Sequence, residues 1–332
     1  MDIPNFLKEQ VQDGNVVLLL GSGASIGAVN KYGIKPPIGN ELSNLIANKF
    51  LGAEYLDKPL SYVSDIAISE TDIVTVQDYI ASVFIDFYPA EFHKLIPEFV
   101  WRALATTNYD LIIERAYSSN SKSLQTPIPF KKNGERIEEK LKAINSLCYY
   151  KLHGCISLTN DPSLPLILTP DQYVTHRKNR SRLFERLQDL AYEHPIVFIG
   201  HSLMDSDIRA ILIEIDQLGD AKPRSFIVAP NMPPAEKRLW EARRYTCLQG
   251  TCEDFFNTLE ATIPKATRRL ASLFSTEQHP ITRKFGSNTK LSPSLEALLS
   301  RDLEYIYEGY KTTVVDARSF YKGYGGWVVS SS

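Results

Sequence analysis

Cysteine is scarce in this chain: the four in 332 residues, Cys148, Cys155, Cys247 and Cys252, form no C-x-x-C pair. That spacing excludes a zinc ribbon and a dithiol redox motif, so no metal is expected and the thiols read as reduced packing residues. Long apolar runs are missing too. No stretch approaches the roughly 18 residues of a spanning helix, and Met1-Asp2-Ile3-Pro4 lacks the basic-then-apolar pattern of a secretory signal. A cytoplasmic protein with no membrane partner is expected. Nor is there an excess of one charge: 37 Lys and Arg face 39 Asp and Glu, for a net charge of -2 with His neutral. This balance removes any global attraction to nucleic acid, and no direct nucleic-acid binding is expected. Arg177-Lys178-Asn179-Arg180 is a local basic patch, read as the solvated flank of a helix.

The chain is 43% hydrophobic, enough for a large core. After an amphipathic segment at residues 3–11, strand-like and helix-like periods alternate. Candidate strands are 16–20, 102–106, 148–152, 196–199, 225–228 and 245–248. Residues 40–99 read as several helices, including 74–85 and 91–99; this is too long for one crossover and predicts a helical insertion at about 40–100. Residues 131–141 are highly charged and read as a surface connection into another helix. Asp205 or Ser206 is placed to cap a helix, and Pro233-Pro234 opens one running to about Arg243. The expected fold is α/β, a Rossmann-like doubly wound, mostly parallel sheet with a helical insertion. Residues 1–265 form its main domain. Residues 266–332 read as a tail or linker leading to a further domain; Leu295, Leu298, Leu299, Leu303 and Ile306 make one short helical face that needs a partner surface.

The most informative feature is Val16-Val17-Leu18-Leu19-Leu20 breaking at once into Gly21-Ser22-Gly23-Ala24-Ser25. A buried strand ending in small residues lets backbone N–H groups approach a phosphate. Two familiar loops are excluded by counting. A Walker loop would need G-x-x-x-x-G-K-S/T, but Gly27 comes one place late and Ala28-Val29 follow it. A dehydrogenase fingerprint needs a third glycine where Ile26 stands, and Glu41 falls on a helix start instead of a strand end. In an open parallel sheet, ligands bind beyond the carboxyl ends of strands. Four such ends carry polar or glycine signals: Gly21 to Ser25, Thr106-Thr107-Asn108-Tyr109-Asp110, His153-Gly154-Cys155, and Gly200-His201-Ser202-Leu203.

These segments resemble the sirtuins. Gly21-Ser22-Gly23-Ala24-Ser25 is similar to their G-A/S-G-x-S loop, Thr107-Asn108-Tyr109-Asp110 to their T/Q-N-I/Y-D element, and Lys151-Leu152-His153-Gly154 to the segment holding the catalytic histidine. Gly200-His201-Ser202-Leu203 is similar to their later ribose-contacting turn. The stretch Gly200 to Arg209 resembles most the divergent branch found in bacterial antiviral defence proteins. Two departures matter. The four-cysteine zinc module has no counterpart, since only Cys155 lies between Gly154 and Gly200, and the deacylase G-I-P-D-F-R segment is replaced by Ile34-Lys35-Pro36-Pro37-Ile38-Gly39. The resemblance therefore implies an NAD+ glycohydrolase that yields nicotinamide and ADP-ribose, depleting NAD+ in abortive-infection defence. It implies Asn108 and His153 as catalytic residues, NAD+ as substrate, and Gly21, Ser22, Gly23, Ala24, Ser25, Asp110, Gly200 and Ser202 as NAD+ contacts. Asp110 would meet the nicotinamide carboxamide. Alternatives are a module sensing NAD+ or ADP-ribose without turnover, and an NAD-dependent protein deacylase. A serine hydrolase is disfavoured because Met204 replaces the last glycine of a nucleophile elbow at Ser202. Because free NAD+ cleavage would exhaust the cell, control by a homo-oligomer or by a fused or separate sensor module is expected.

Overall fold

Val17-Leu18-Leu19-Leu20 is buried at all four positions, as happens when helices cover both faces of a parallel sheet. A computed structural model describes residues 1–268 apart from 144, 162–163, 170, 173–178, 202–205, 218, 220–221 and 266. Among them seven strands form one sheet: β1 Val17–Leu20, β2 Ala103–Thr106, β3 Thr126–Phe130, β4 Ser146–Lys151, β5 Ile196–Ile199, β6 Ser225–Ala229 and β7 Tyr245–Gln249. Their order is β3-β4-β2-β1-β5-β6-β7, and every pairing is parallel. The helices are α1 Asn5–Gln12, α2 Gly39–Phe50, α3 Leu60–Glu70, α4 Ile73–Phe84, α5 Ile112–Ser119, α6 Ile137–Lys140, α7 Ser181–Glu193, α8 Ser206–Asp216, α9 Pro234–Ala242 and α10 Cys252–Thr262.

Alternation along β1 divides the interior in two. Leu18 and Leu20 join Leu7, Val11, Phe255, Phe256 and Leu259 under α1 and α10. Val17 and Leu19 join Leu183, Leu187, Ile211 and Leu212 under α7 and α8. The doubly wound parallel sheet expected from the sequence is the fold.

Between β1 and β2 lies the insertion, α2 to α4, with a small core of its own: Leu42, Ile46, Val63, Ala67, Val76 and Ile80 close on Leu166 and Leu168 from the segment after β4. Asp72 starts α4, its carboxylate accepting from the backbone N–H groups of Val74 and Thr75 at 2.8 and 3.0 Å. Residues 91–99 differ from the expected α-helix. They form a 3-10 segment, Glu91–Glu98, with Pro97 inside it; a proline has no N–H to continue α-helical bonding. The edge strand β3 was hidden for a related reason. Its sequence Thr126-Pro127-Ile128-Pro129-Phe130 carries two prolines, which a strand tolerates only at a sheet edge. The charged stretch after it holds only the single turn α6.

Parallel pairing puts all strand ends of one polarity on one rim. The chain leaves β1 for β2 on one side and returns later to β5 on the other, so the order reverses beside β1. In open parallel sheets ligands bind at such a reversal, beyond the carboxyl ends of the strands, here β1 and β5. Ser202, Asp205, Arg177, Lys178 and the tail 269–332 with its Leu and Ile face lie outside the described residues.

Candidate active site

Register fixes the height of the site. Leu20 lies opposite Thr106 on one side and Ile199 on the other, and Thr106 lies opposite Lys151. The loops that follow β1, β2, β4 and β5 therefore leave the sheet from one row. This brings Gly21 to Ser25, Asn108, Asp110, His153 and Gly200 to the same rim.

The β1 and β5 loops touch along their backbones. Gly21 N–H donates to Ile199 O at 2.9 Å, Gly23 N–H to Gly200 O at 2.8 Å, and Ala24 N–H to Gly21 O at 2.9 Å. Three of the five loop N–H groups thus hold the 3-10 turn Ser22–Ser25 in place. The glycines answer to this contact. A Cβ on Gly23 would lie 2.8 Å from Gly200 Cα, and one on Gly200, whose φ is +73°, would lie 2.1 Å from Ala24 N. Ser22 stays exposed at the mouth, while Ala24 and Ser25 are buried.

From β2 the chain enters a network of polar side chains. Thr106 Oγ1 donates to Leu20 O at 2.7 Å and accepts from Asn108 N–H at 2.9 Å. The Asn108 amide nitrogen donates to Gly21 O at 2.9 Å and to Ser25 Oγ at 3.0 Å, and Ser25 Oγ donates to Asp110 Oδ2 at 2.7 Å. Asp110 Oδ1 accepts from Ile112 N–H at 3.0 Å, which starts α5. Each carboxylate oxygen keeps a second lone pair, so contact with a carboxamide is compatible with this network. Asn108 is half-buried beside the buried Asp110. It ties the two loops together.

His153 follows β4 and is buried. Its carbonyl accepts from Ile167 N–H at 3.0 Å, and the Tyr109 hydroxyl donates to Ile167 O. The next residue, Gly154, has φ +99° and packs against Pro165 and Leu166. His153 is thereby set between the β2 loop and a segment that the insertion covers.

The family model described as SIR2-like domain matches residues 102–248, a span that contains Asn108, His153 and Gly200. Over these residues the chain is similar to a SIR2-like domain. It is 26% identical over 226 residues to the NAD(+) hydrolase ThsA of Acinetobacter baumannii (strain 532279), covering 62% of this chain and 40% of that protein. To the NAD(+) hydrolase ThsA of Cytobacillus dafuensis it is 24% identical over 229 residues, covering 64% and 40%. The chain thus spans about 40% of the length of these relatives. Among solved structures, a Sir2 homolog–NAD complex aligns at 15% identity with a TM-score of 0.48, covering 80% of this chain and 96% of that one. A Sir2 homologue mutant bound to 2'-O-acetyl ADP-ribose aligns at 14% and 0.47, covering 80% and 98%.

Other groups around the rim give the site its electrostatics, and the sequence reading did not single them out. His201 Nε2 donates to Leu19 O at 3.2 Å, leaving Nδ1 toward Gly21, where a Cβ would come within 2.5 Å. Burial pushes its pKa down to about 3, a displacement that nearby His153 reinforces and the Leu19 carbonyl opposes. Lys151 is fully buried, its ammonium donating to Asp110 O at 2.6 Å and to Glu114 Oε1 at 3.2 Å. Burial alone would lower Lys151, but the Glu114 carboxylate, with Cys155 and Asp110, holds it above the usual lysine value. A lysine at the end of a buried strand was the available signal for it. Among the described residues, no three His, Cys, Asp or Glu side chains gather as metal ligands, and all four cysteines are free thiols. No described helix is long and apolar enough to cross a membrane.

Proposed function

We propose that this domain hydrolyses NAD+ at the nicotinamide–ribose bond, releasing nicotinamide and ADP-ribose. The observation that carries the reading is the meeting of Asn108, Asp110 and His153 with Gly21 to Ser25 and Gly200 on one rim, at the point where strand order reverses. Matches to proteins named NAD(+) hydrolase support it.

The pyridinium of NAD+ is a good leaving group, so positioning and charge stabilisation carry much of the reaction. The bond from ribose C1' to the nicotinamide nitrogen breaks, its electron pair neutralises the ring, and a water oxygen bonds to C1'. His153 accepts the proton that this water gives up and passes it to solvent. Both amide hydrogens of Asn108 are engaged by Gly21 O and Ser25 Oγ, so its Oδ1 is the atom that orients the attacking water or a ribose hydroxyl. The β1 loop, with Ser22 at its open end, borders the pyrophosphate, Ser202 and Gly200 contact the ribose, and Asp110 meets the nicotinamide carboxamide. No step calls for a metal.

In the cell this activity serves defence through NAD+ depletion, and assembly into a homo-oligomer or engagement of a sensor module switches it on. The test is to incubate the purified protein with NAD+ over a range of protein concentrations and resolve the products by chromatography. Equimolar nicotinamide and ADP-ribose, formed faster per chain as concentration rises, is the expected result. Intact NAD+ at every concentration would overturn the reading.

A further inference from the structure

His93 belongs to the 3-10 segment Glu91–Glu98, between the insertion and β2, is completely buried, and touches the nucleotide loop. Its Nδ1 accepts from Ala90 N–H at 2.9 Å, and its Nε2 lies 2.7 Å from Ala24 O. An N–H can only donate and a carbonyl can only accept, so these two partners fix one neutral tautomer with the hydrogen on Nε2. The ring thus donates to Ala24 O. Phe92, the adjacent residue, supports the same loop further along: a Cβ on Gly27 would lie 2.7 Å from its Cε1.

The carbonyl that His93 holds is joined through one peptide plane to Ser25. Ser25 Oγ in turn accepts from the Asn108 amide and donates to Asp110. A buried side chain of the 3-10 segment Glu91–Glu98 therefore governs, through Ala24 and Ser25, where the Asn108 amide sits. The first half of the loop is anchored separately, by Gly200 O and Ile199 O. We propose that His93 is a positioning residue for Asn108, coupling the 3-10 segment ahead of β2 to the chemical step while leaving NAD+ binding to the rest of the loop. This rests on the NAD+-hydrolase reading above.

Two variants separate the two hydrogen bonds. In His93→Asn the amide oxygen replaces Nδ1 and keeps the Ala90 bond, but the side chain is too short to reach Ala24. In His93→Gln the longer amide donates to Ala24 O and gives up Ala90. Each loses one buried hydrogen bond, so both should melt at similar temperatures below the wild type. A purely structural role predicts equal activity. The proposal predicts that His93→Asn lowers kcat for nicotinamide release about tenfold with KM for NAD+ changed less than twofold, because misplacement of an orienting group falls on the reaction itself. His93→Gln should retain most of the wild-type kcat. Hydrogen exchange gives a readout that needs no turnover: amides of Ala24, Ile26 and Ala28 should exchange faster in His93→Asn than in His93→Gln. Equal kcat and equal loop exchange in two folded variants would overturn the positioning role. Differential exchange without nicotinamide release from the wild type would instead leave the loop coupling standing and remove the hydrolase reading. If neither variant folds, exchange of these amides in the wild type decides, since the proposal requires protection well above that of the exposed loop around Gly33, and equal exchange overturns it.

Discussion

Gly200→Ala tests whether the β1 and β5 loops must touch along their backbones for the site to exist. Gly200 has φ +73°, a region in which an alanine costs roughly 1–2 kcal/mol, and its Cβ would sit 2.1 Å from Ala24 N and 2.5 Å from Gly23 C. Neither neighbour is a flexible side chain, so the loops must separate. Gly33 is the natural control, because its φ of +76° is nearly the same and nothing lies within 4 Å of its Cβ. Gly33→Ala should therefore lose only the backbone contribution. Overpacking adds typically about 1–3 kcal/mol, giving Gly200→Ala a total loss of about 2–5 kcal/mol. For a domain of this size each kcal/mol shifts the melting temperature by roughly 2–4 °C, so the gap between the two variants is expected near 2–12 °C in a fluorescence melt. In the same samples, nicotinamide release should survive in Gly33→Ala and fall at least about tenfold in Gly200→Ala, since the clash displaces the loop that Asn108 holds. Equal melting temperatures and equal activity in the two variants would refute the close-contact argument.

Acid should act through His201. Its folded pKa, about 3, lies below the unfolded value, so the unfolded chain binds the extra proton: stability is full above about pH 6.5 and is lost as pH falls toward 3. The loss from this group is up to about 2 kcal/mol at pH 5, and a His201→Gln variant should show a smaller drop in melting temperature between pH 7.5 and 5; equal drops would contradict this. Lys151→Met leaves the Glu114 carboxylate without its ammonium and should destabilise the fold by about 3 kcal/mol, with Lys151→Met/Glu114→Gln regaining most of it. A double variant no more stable than the single one, by denaturant titration, would count against the ion pair as the cause.

Much of this site was legible because its parts obey local rules. The run Val16 to Leu20 is apolar throughout, and β1 is buried on both faces; small residues directly after it mark a close approach of chains. Which chain approaches was not legible. The sequence suggests that Gly23 makes room for a phosphate, whereas the structure shows its Cα packed on Gly200, 177 residues later. The β3 strand escaped because Pro127 and Pro129 break the local strand pattern, and only its edge position makes them acceptable. His93 and Gln77 carry no motif either, and Lys151, though it opens the His153 segment, carries no sign of its partners. Gln77 Oε1 accepts from Leu166 N–H at 2.6 Å, and Lys151 reaches Asp110; both contacts join distant segments and exist only once the insertion and the sheet are assembled.

The measurement that bears most directly on the account is the rate of nicotinamide release at saturating NAD+ by His153→Ala, compared with the wild type in the same assembly state and with far-UV circular dichroism confirming the fold. His153 is buried at the end of β4 on the rim shared with Asn108, and loss of a positioned proton acceptor lowers a rate by about 10²- to 10⁴-fold. The account predicts a fall of that size in a folded protein. A folded His153→Ala protein that releases nicotinamide at the wild-type rate would contradict it.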